Sequence, residues 1–209
     1  MTSGRMEAFS DGVLAIIITI MVLELHLPAE PTFHSLLHTT PALLAYVLSY
    51  VFVGIYWVNH HHLVKTVDHV TALILWSNLI LLFWLSLLPF ATRWMALEHS
   101  AKAPVVAYGV VLFFAGAAYF LLQRMIIRSQ GPDSKLAVAI GRDVKGNLSV
   151  VLFLVGIVLA LVLPSTWAAL AVYLAVAVMW LIPDRRLEPV IGGGTATARA
   201  DEEALDEDV

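Results

Sequence analysis

Residues 5–23 read Arg5-Met6-Glu7-Ala8-Phe9-Ser10-Asp11-Gly12-Val13-Leu14-Ala15-Ile16-Ile17-Ile18-Thr19-Ile20-Met21-Val22-Leu23. A charged, hydroxyl-bearing opening runs straight into an apolar segment, and about 20 such residues suffice to cross a bilayer. The ionisable pair at its mouth, Arg5 and Asp11, is costly at that depth unless partnered, which marks the position as functional. The segment is expected to be a retained membrane helix. Acidic residues interrupt its charged start, and it ends at Glu24 without the small-residue cleavage site of a signal peptide.

The rest of the composition agrees. Of 209 residues, 60% are hydrophobic and 13% charged, against roughly 45–50% and about 25% in soluble domains. Mean hydropathy is +0.84. The net charge of -4 is misleading, because six of the 16 acidic residues (Asp201, Glu202, Glu203, Asp206, Glu207 and Asp208) fall in the last nine positions. The absence of cysteine excludes disulfides, thiolate metal sites and thiol catalysis.

Six spans are expected, over about residues 6–27, 42–64, 70–91, 104–127, 144–163 and 166–182. Prolines punctuate them: Pro28, Pro164 and Pro183 stop helices, Pro41 and Pro104 suit first turns, and Pro89 lies near the end of the third. Residues 1–190 are thus read as one all-α membrane domain, and 191–209 as a flexible linker with an acidic tail. Pro28 to Thr40 is read as a loop, and residues 135–142 as a weak interfacial helix. In this arrangement Arg5, Lys65, Arg124, Arg128, Lys135, Arg142, Lys145, Arg185, Arg186 and Arg199 share one side, leaving Arg93 and Lys102 on the other. The positive-inside rule then places both termini in the cytoplasm.

On a helix turning about 100° per residue, Ile16, Ile20 and Leu23 share a stripe, Thr19 sits beside it, and Asp11 points well away from it. Such a stripe either faces lipid and neighbouring helices or, repeated around an axis, forms apolar constrictions that gate by dewetting. Periodicity alone does not choose between these.

Arg5-x-x-x-Phe9-Ser10-Asp11 resembles the signature of the TMEM175-type potassium channels, short six-helix proteins in bacteria. Trp57-Val58-Asn59-His60-His61 is similar to that family's Trp-x-x-His-His pattern. Asn78, followed by Pro89-Phe90, resembles its third-helix pattern, so that the likeness covers about the first ninety residues. The resemblance implies a homotetramer whose first helices line a central pore in a bacterial plasma membrane. K⁺ would be the permeant ion, preferred over Na⁺, with no cofactor. It implies an aliphatic constriction at Ile16, further layers at Ile20 and Leu23, and a threonine layer at Thr19. The other expected partners are lipid and further copies of the chain, not nucleic acid.

The remaining polar groups are read beside it. Arg5, Phe9, Ser10 and Asp11 are expected to join Trp57, His60 or His61, and Asn78 in a network that holds the first helix against the second and third. Arg5 and Asp11 are six residues apart and do not stack on one helix face. His60-His61-His62 cannot chelate one ion, since successive residues diverge by about 100°, so no metal site and no enzyme activity are expected. Glu24 is either a cation-concentrating ring at the outer mouth or a solvated helix-end carboxylate. Ala115-Gly116-Ala117-Ala118 permits close helix packing. The alternative function is a small proton-coupled transporter, or a proton-permeable channel, using Asp11 with His60 and His61 as a relay.

Overall fold

The computed structural model describes residues 2–67, 69–98, 101–131, 134, 136–137 and 143–181. Within them the chain is helical: α1 Ser3–Leu23, α2 Phe33–His38, α3 Thr40–Lys65, α4 Ala72–Ser86, α5 Leu88–Leu97, α6 Lys102–Gln130, α7 Val144–Val162 and α8 Trp167–Leu181. The expected linker and acidic tail lie outside the described residues, as does most of the 135–142 interfacial segment.

Local chemistry sets the boundaries. Thr71 caps α4 by accepting the Ile74 N–H at 3.3 Å, and Asp143 caps α7 by accepting the Gly146 N–H at 2.8 Å. Pro41 occupies the first turn of α3, where its missing N–H costs nothing. Beyond Gln130, Gly131 takes φ +93°, a left-handed value that a residue without Cβ adopts freely, and its N–H closes on the Ile127 carbonyl at 2.9 Å.

Two elements depart from expectation. The third span does not stop near Ala91. It kinks at Leu87 and continues as α5 to Leu97. Pro89 removes one N–H from the ladder, while Leu87 bonds back to the Trp84 carbonyl at 3.2 Å and Ala91 to the Leu87 carbonyl at 3.0 Å. The proline therefore bends the span without ending it. The loop after α1 also contains a helix of its own, α2. Thr32 Oγ1 accepts the Ser35 N–H at 3.1 Å, and Ser35 Oγ accepts the Glu30 N–H at 3.2 Å.

Among the described residues five helical stretches are long and apolar enough to cross a membrane: Ser3–Leu23, Thr40–Lys65, Ala72–Leu97 (α4 and α5 together), Lys102–Gln130 and Val144–Val162. The apolar α8 has 15 described residues, about 22 Å at 1.5 Å per residue.

α6 packs on one side against α4 and α5 and on the other against α7, which in turn carries α8. α1 lies at the opposite flank against α3, α4 and α5. The buried core runs from Leu14, Ile17 and Met21 of α1 through Phe52 and Val53 of α3 and Leu81 of α4 to Leu112 and Leu122 of α6. The closest approach centres on Tyr173 of α8. A Cβ on Gly109 of α6 would stand 2.0 Å from its hydroxyl oxygen, and one on Gly156 of α7 would stand 2.3 Å from its ring. At Gly116, within the small-residue patch, the nearest atom would be 3.5 Å away, an ordinary contact.

Candidate functional site

α1 has two faces of different character. Met6, Ser10, Leu14, Ile17 and Met21 recur every three or four residues and are buried against α3, α4 and α5. On the other face Ile16 (58% exposed), Ile20 (40%) and Leu23 (81%) stand exposed among the described residues, and Thr19 is exposed between them. The stripe read from periodicity is therefore an exposed face of α1 among the described residues. Thr19 Oγ1 donates its proton to the Ile16 carbonyl at 2.9 Å. With the proton engaged, the hydroxyl offers lone pairs to whatever lies beyond it.

Beside the open face, two hydrogen-bonded chains bind α1 to its neighbours. His60 Nε2 lies 2.7 Å from Asn78 Oδ1, Asn78 Nδ2 donates to Ser10 Oγ at 3.0 Å, and Ser10 Oγ donates to the Met6 carbonyl at 2.9 Å. With Nε2 as the proton-bearing nitrogen, each bond in this line has one donor and one acceptor. Ser10, His60 and Asn78 are buried, and the line joins α3, α4 and α1. In hydrocarbon such side chains need protein partners, since no water replaces them. The second chain is shorter: Trp57 Nε1 donates to Asp11 Oδ1 at 3.0 Å. One turn below, His61 Nδ1 meets Glu7 Oε1 at 2.7 Å.

Most of the expected network is thus brought together, with Asn78 as its centre. Arg5 is exposed and has no ion pair among the described residues, and Phe9 is half exposed. Asp11 and His60 belong to separate hydrogen-bonded chains, not one relay. Glu7, which the sequence reading passed over, sits four residues before Asp11 on a helix running past α3, so spacing could have flagged it.

At the far end of α1, the Glu24 carboxylate pairs with the Arg93 guanidinium of α5. Both line a cavity of about 350 Å³ together with His26, His38, Tyr46 and Thr92. Deeper in the bundle, Thr92 Oγ1 donates to Ser49 Oγ at 2.7 Å, and Ser49 Oγ lies 3.0 Å from the Tyr108 hydroxyl. This triad joins α5, α3 and α6. It was missed because single hydroxyls scattered over three helices carry no pattern.

An all-helical bundle of apolar membrane-length helices, with an exposed aliphatic face at one flank and polar clasps behind it, defines a multi-helix membrane protein. The comparisons identify the family. Residues 5–89 match the model of the endosomal/lysosomal potassium channel TMEM175. A potassium channel of Chryseobacterium sp. (strain P1-3) is 50% identical over 188 residues, spanning 90% of this chain and 97% of that one. A potassium channel of Streptomyces collinus is 39% identical over 125 residues, 56% of this chain and 61% of that one. The crystal structure of a lysosomal potassium-selective channel TMEM175 homologue from Chamaesiphon minutus superposes with a TM-score of 0.73 at 28% identity, covering 86% of this chain and 96% of that one. The chain belongs to the TMEM175 potassium channel family, a family of ion channels and not of enzymes.

Proposed function

We propose that the protein carries K⁺ across a bacterial plasma membrane through a central pore lined by α1 from four copies of the chain. Each subunit crosses the membrane six times, within residues 1–190, with both termini in the cytoplasm. The observation that carries this reading is the uncovered stripe of Ile16, Thr19, Ile20 and Leu23, on a helix whose opposite face is fully packed. An apolar face of this kind is either lipid-facing or turned to symmetry mates, and membership of a channel family favours the second.

In this arrangement Ile16 supplies the constriction, and Ile20 and Leu23 supply further apolar collars that exclude water when closed. An aliphatic ring offers no ligand, so a passing ion stays at least partly hydrated. K⁺ passes more readily than Na⁺ because its water is held less tightly. The four Thr19 oxygens, with their protons committed to backbone, present acceptors suited to a cation at the same level. The Ser10–Asn78–His60 and Asp11–Trp57 bonds hold each pore helix against its own α3 and α4.

The test is recording from purified protein in bilayers under a K⁺/Na⁺ gradient, comparing wild type with Ile16→Asn. A polar ring at the constriction is expected to raise conductance or reduce K⁺ preference. Permeation unchanged in both respects would move the constriction elsewhere.

A further inference from the structure

His34 and His38 stand four residues apart on α2, so both rings rise from one face of the helix. Their Nε2 atoms are 3.3 Å apart, with the rings edge to face at 4.8 Å between centroids. At that distance one Nε2–H donates to the lone pair of the other. The same separation is what a metal requires. Two imidazole nitrogens bound at about 2.0–2.1 Å in tetrahedral geometry lie about 3.4 Å from each other. The two nitrogens therefore already stand at the separation a shared cation needs, and the rings have only to turn until both lone pairs meet at the ion.

The helix that carries them is fixed at both ends. Thr32 caps it through the Ser35 N–H, Ser35 ties back to Glu30, and Thr39 Oγ1 donates to the Leu36 carbonyl at 2.7 Å. The two rings are thus held close together before any ion arrives, which lowers the entropic cost of binding it. Both are exposed, so water reaches the remaining coordination positions. Among the described residues no third His, Asp or Glu completes the set. His26, which lines the same cavity as His38, has its Nδ1 engaged by the Glu24 carbonyl at 3.0 Å.

We propose that His34 and His38 form a two-point chelate for a divalent late transition metal ion of the Zn²⁺, Ni²⁺ or Cu²⁺ class, with water as the other ligands. Neutral imidazole favours these ions over Mg²⁺ or Ca²⁺, which prefer oxygen. Both rings ligate as neutral imidazoles: the ring that carried its proton on Nε2 takes one on Nδ1 from solvent as the Nε2 proton leaves, so no net proton is released. In the proposed topology α2 lies on the outer face, open to the external medium.

The test is isothermal titration of the full chain, free of any histidine tag, with ZnCl₂ and separately with MgCl₂. Binding is read without ion flow, so its failure leaves the channel reading untouched. Wild type is expected to take up Zn²⁺ and not Mg²⁺. His34→Ala and His38→Ala are each expected to weaken Zn²⁺ binding about tenfold or more, about 1.4 kcal/mol or more. The double variant should be no worse than either single one, because one lost arm already abolishes the chelate. His26→Ala should bind as wild type. His38→Gln keeps the size and polarity of the side chain and should lose binding like His38→Ala, which separates ligation from folding of α2. Zn²⁺ affinity unchanged in the single variants, or lost only when His61 or His62 is replaced, would overturn the proposal.

Discussion

Asn78 of α4 donates to Ser10 of α1 at 3.0 Å while its carbonyl oxygen faces His60 Nε2 of α3 at 2.7 Å. One amide thus fastens three helices at a single buried point. Its two ends are chemically different: the NH₂ group donates to Ser10 and the carbonyl oxygen accepts from His60.

Replacing Asn78 by Leu keeps the volume but leaves His60 and Ser10 each short of a partner. Interhelical hydrogen bonds in membranes average about 0.6 kcal/mol and reach about 1.7. Two lost bonds are expected to lower stability by about 1–3 kcal/mol. Thermal unfolding of the purified protein in detergent should show a clear drop in midpoint, and an unchanged midpoint would mean that the amide holds nothing.

Asp11 offers a sharper comparison. Its partner is the neutral indole of Trp57, and Arg5 forms no ion pair with it within the chain. Asp11→Asn keeps an oxygen that can accept from Trp57, whereas Asp11→Ala does not. The asparagine variant is therefore expected to assemble and conduct much as wild type, with Ala and Trp57→Phe both impaired. Loss of assembly in Asp11→Asn as severe as in Ala would show that the charge matters, through Arg5 of another subunit. Size-exclusion chromatography and flux assays separate these outcomes.

Gly109 and Gly156 both face Tyr173, and an added Cβ at either would fall well inside contact distance. Overpacking a tight core costs about 1–3 kcal/mol. Gly109→Ala and Gly156→Ala should each lower thermal stability by that amount, while Gly116→Ala should be close to neutral. Equal behaviour of all three variants in an unfolding series would contradict the packing described.

Glu24 and Arg93 sit together at the end of α1, both partly exposed. Partly exposed pairs contribute little stability, about 0–1 kcal/mol, so the effect to measure is electrostatic. Glu24→Gln leaves an unpaired cation and should reduce inward K⁺ current at low ionic strength, whereas Arg93→Gln should raise it. Both effects should fade near 1 M salt, where screening falls to about 3 Å. Currents indifferent to either change at low salt would place this pair away from the ion path.

Much of this was legible in the chain itself. Long apolar runs have few ways to satisfy their backbone in lipid, so composition determined the helical class and the approximate spans. The 3.6-residue repeat in α1 was enough to group Ile16, Ile20 and Leu23 on one stripe, though not to say whether that stripe was packed or open. Two sequence signals were read too narrowly. The third span was ended near Ala91 with Pro89 close to its end, but a proline deletes only one hydrogen bond, and the helix resumes and runs on to Leu97. His34 and His38 carried the spacing of a chelating pair, yet they fell in a stretch assigned to loop, where a four-residue spacing has no geometric meaning. Only the capped turn of α2 gave it one.

The chain alone determined that this protein is built of apolar helices, several of them long enough to cross a membrane, and which stripe of α1 is aliphatic. Those properties depend on local composition and on the fixed pitch of a helix. The tertiary structure decided which stripe stays uncovered, which hydroxyls and amides clasp one another, and which glycines admit Tyr173. Those depend on contacts between residues dozens of positions apart, where the identity of a side chain says what bonds it can make but not which partner the fold delivers.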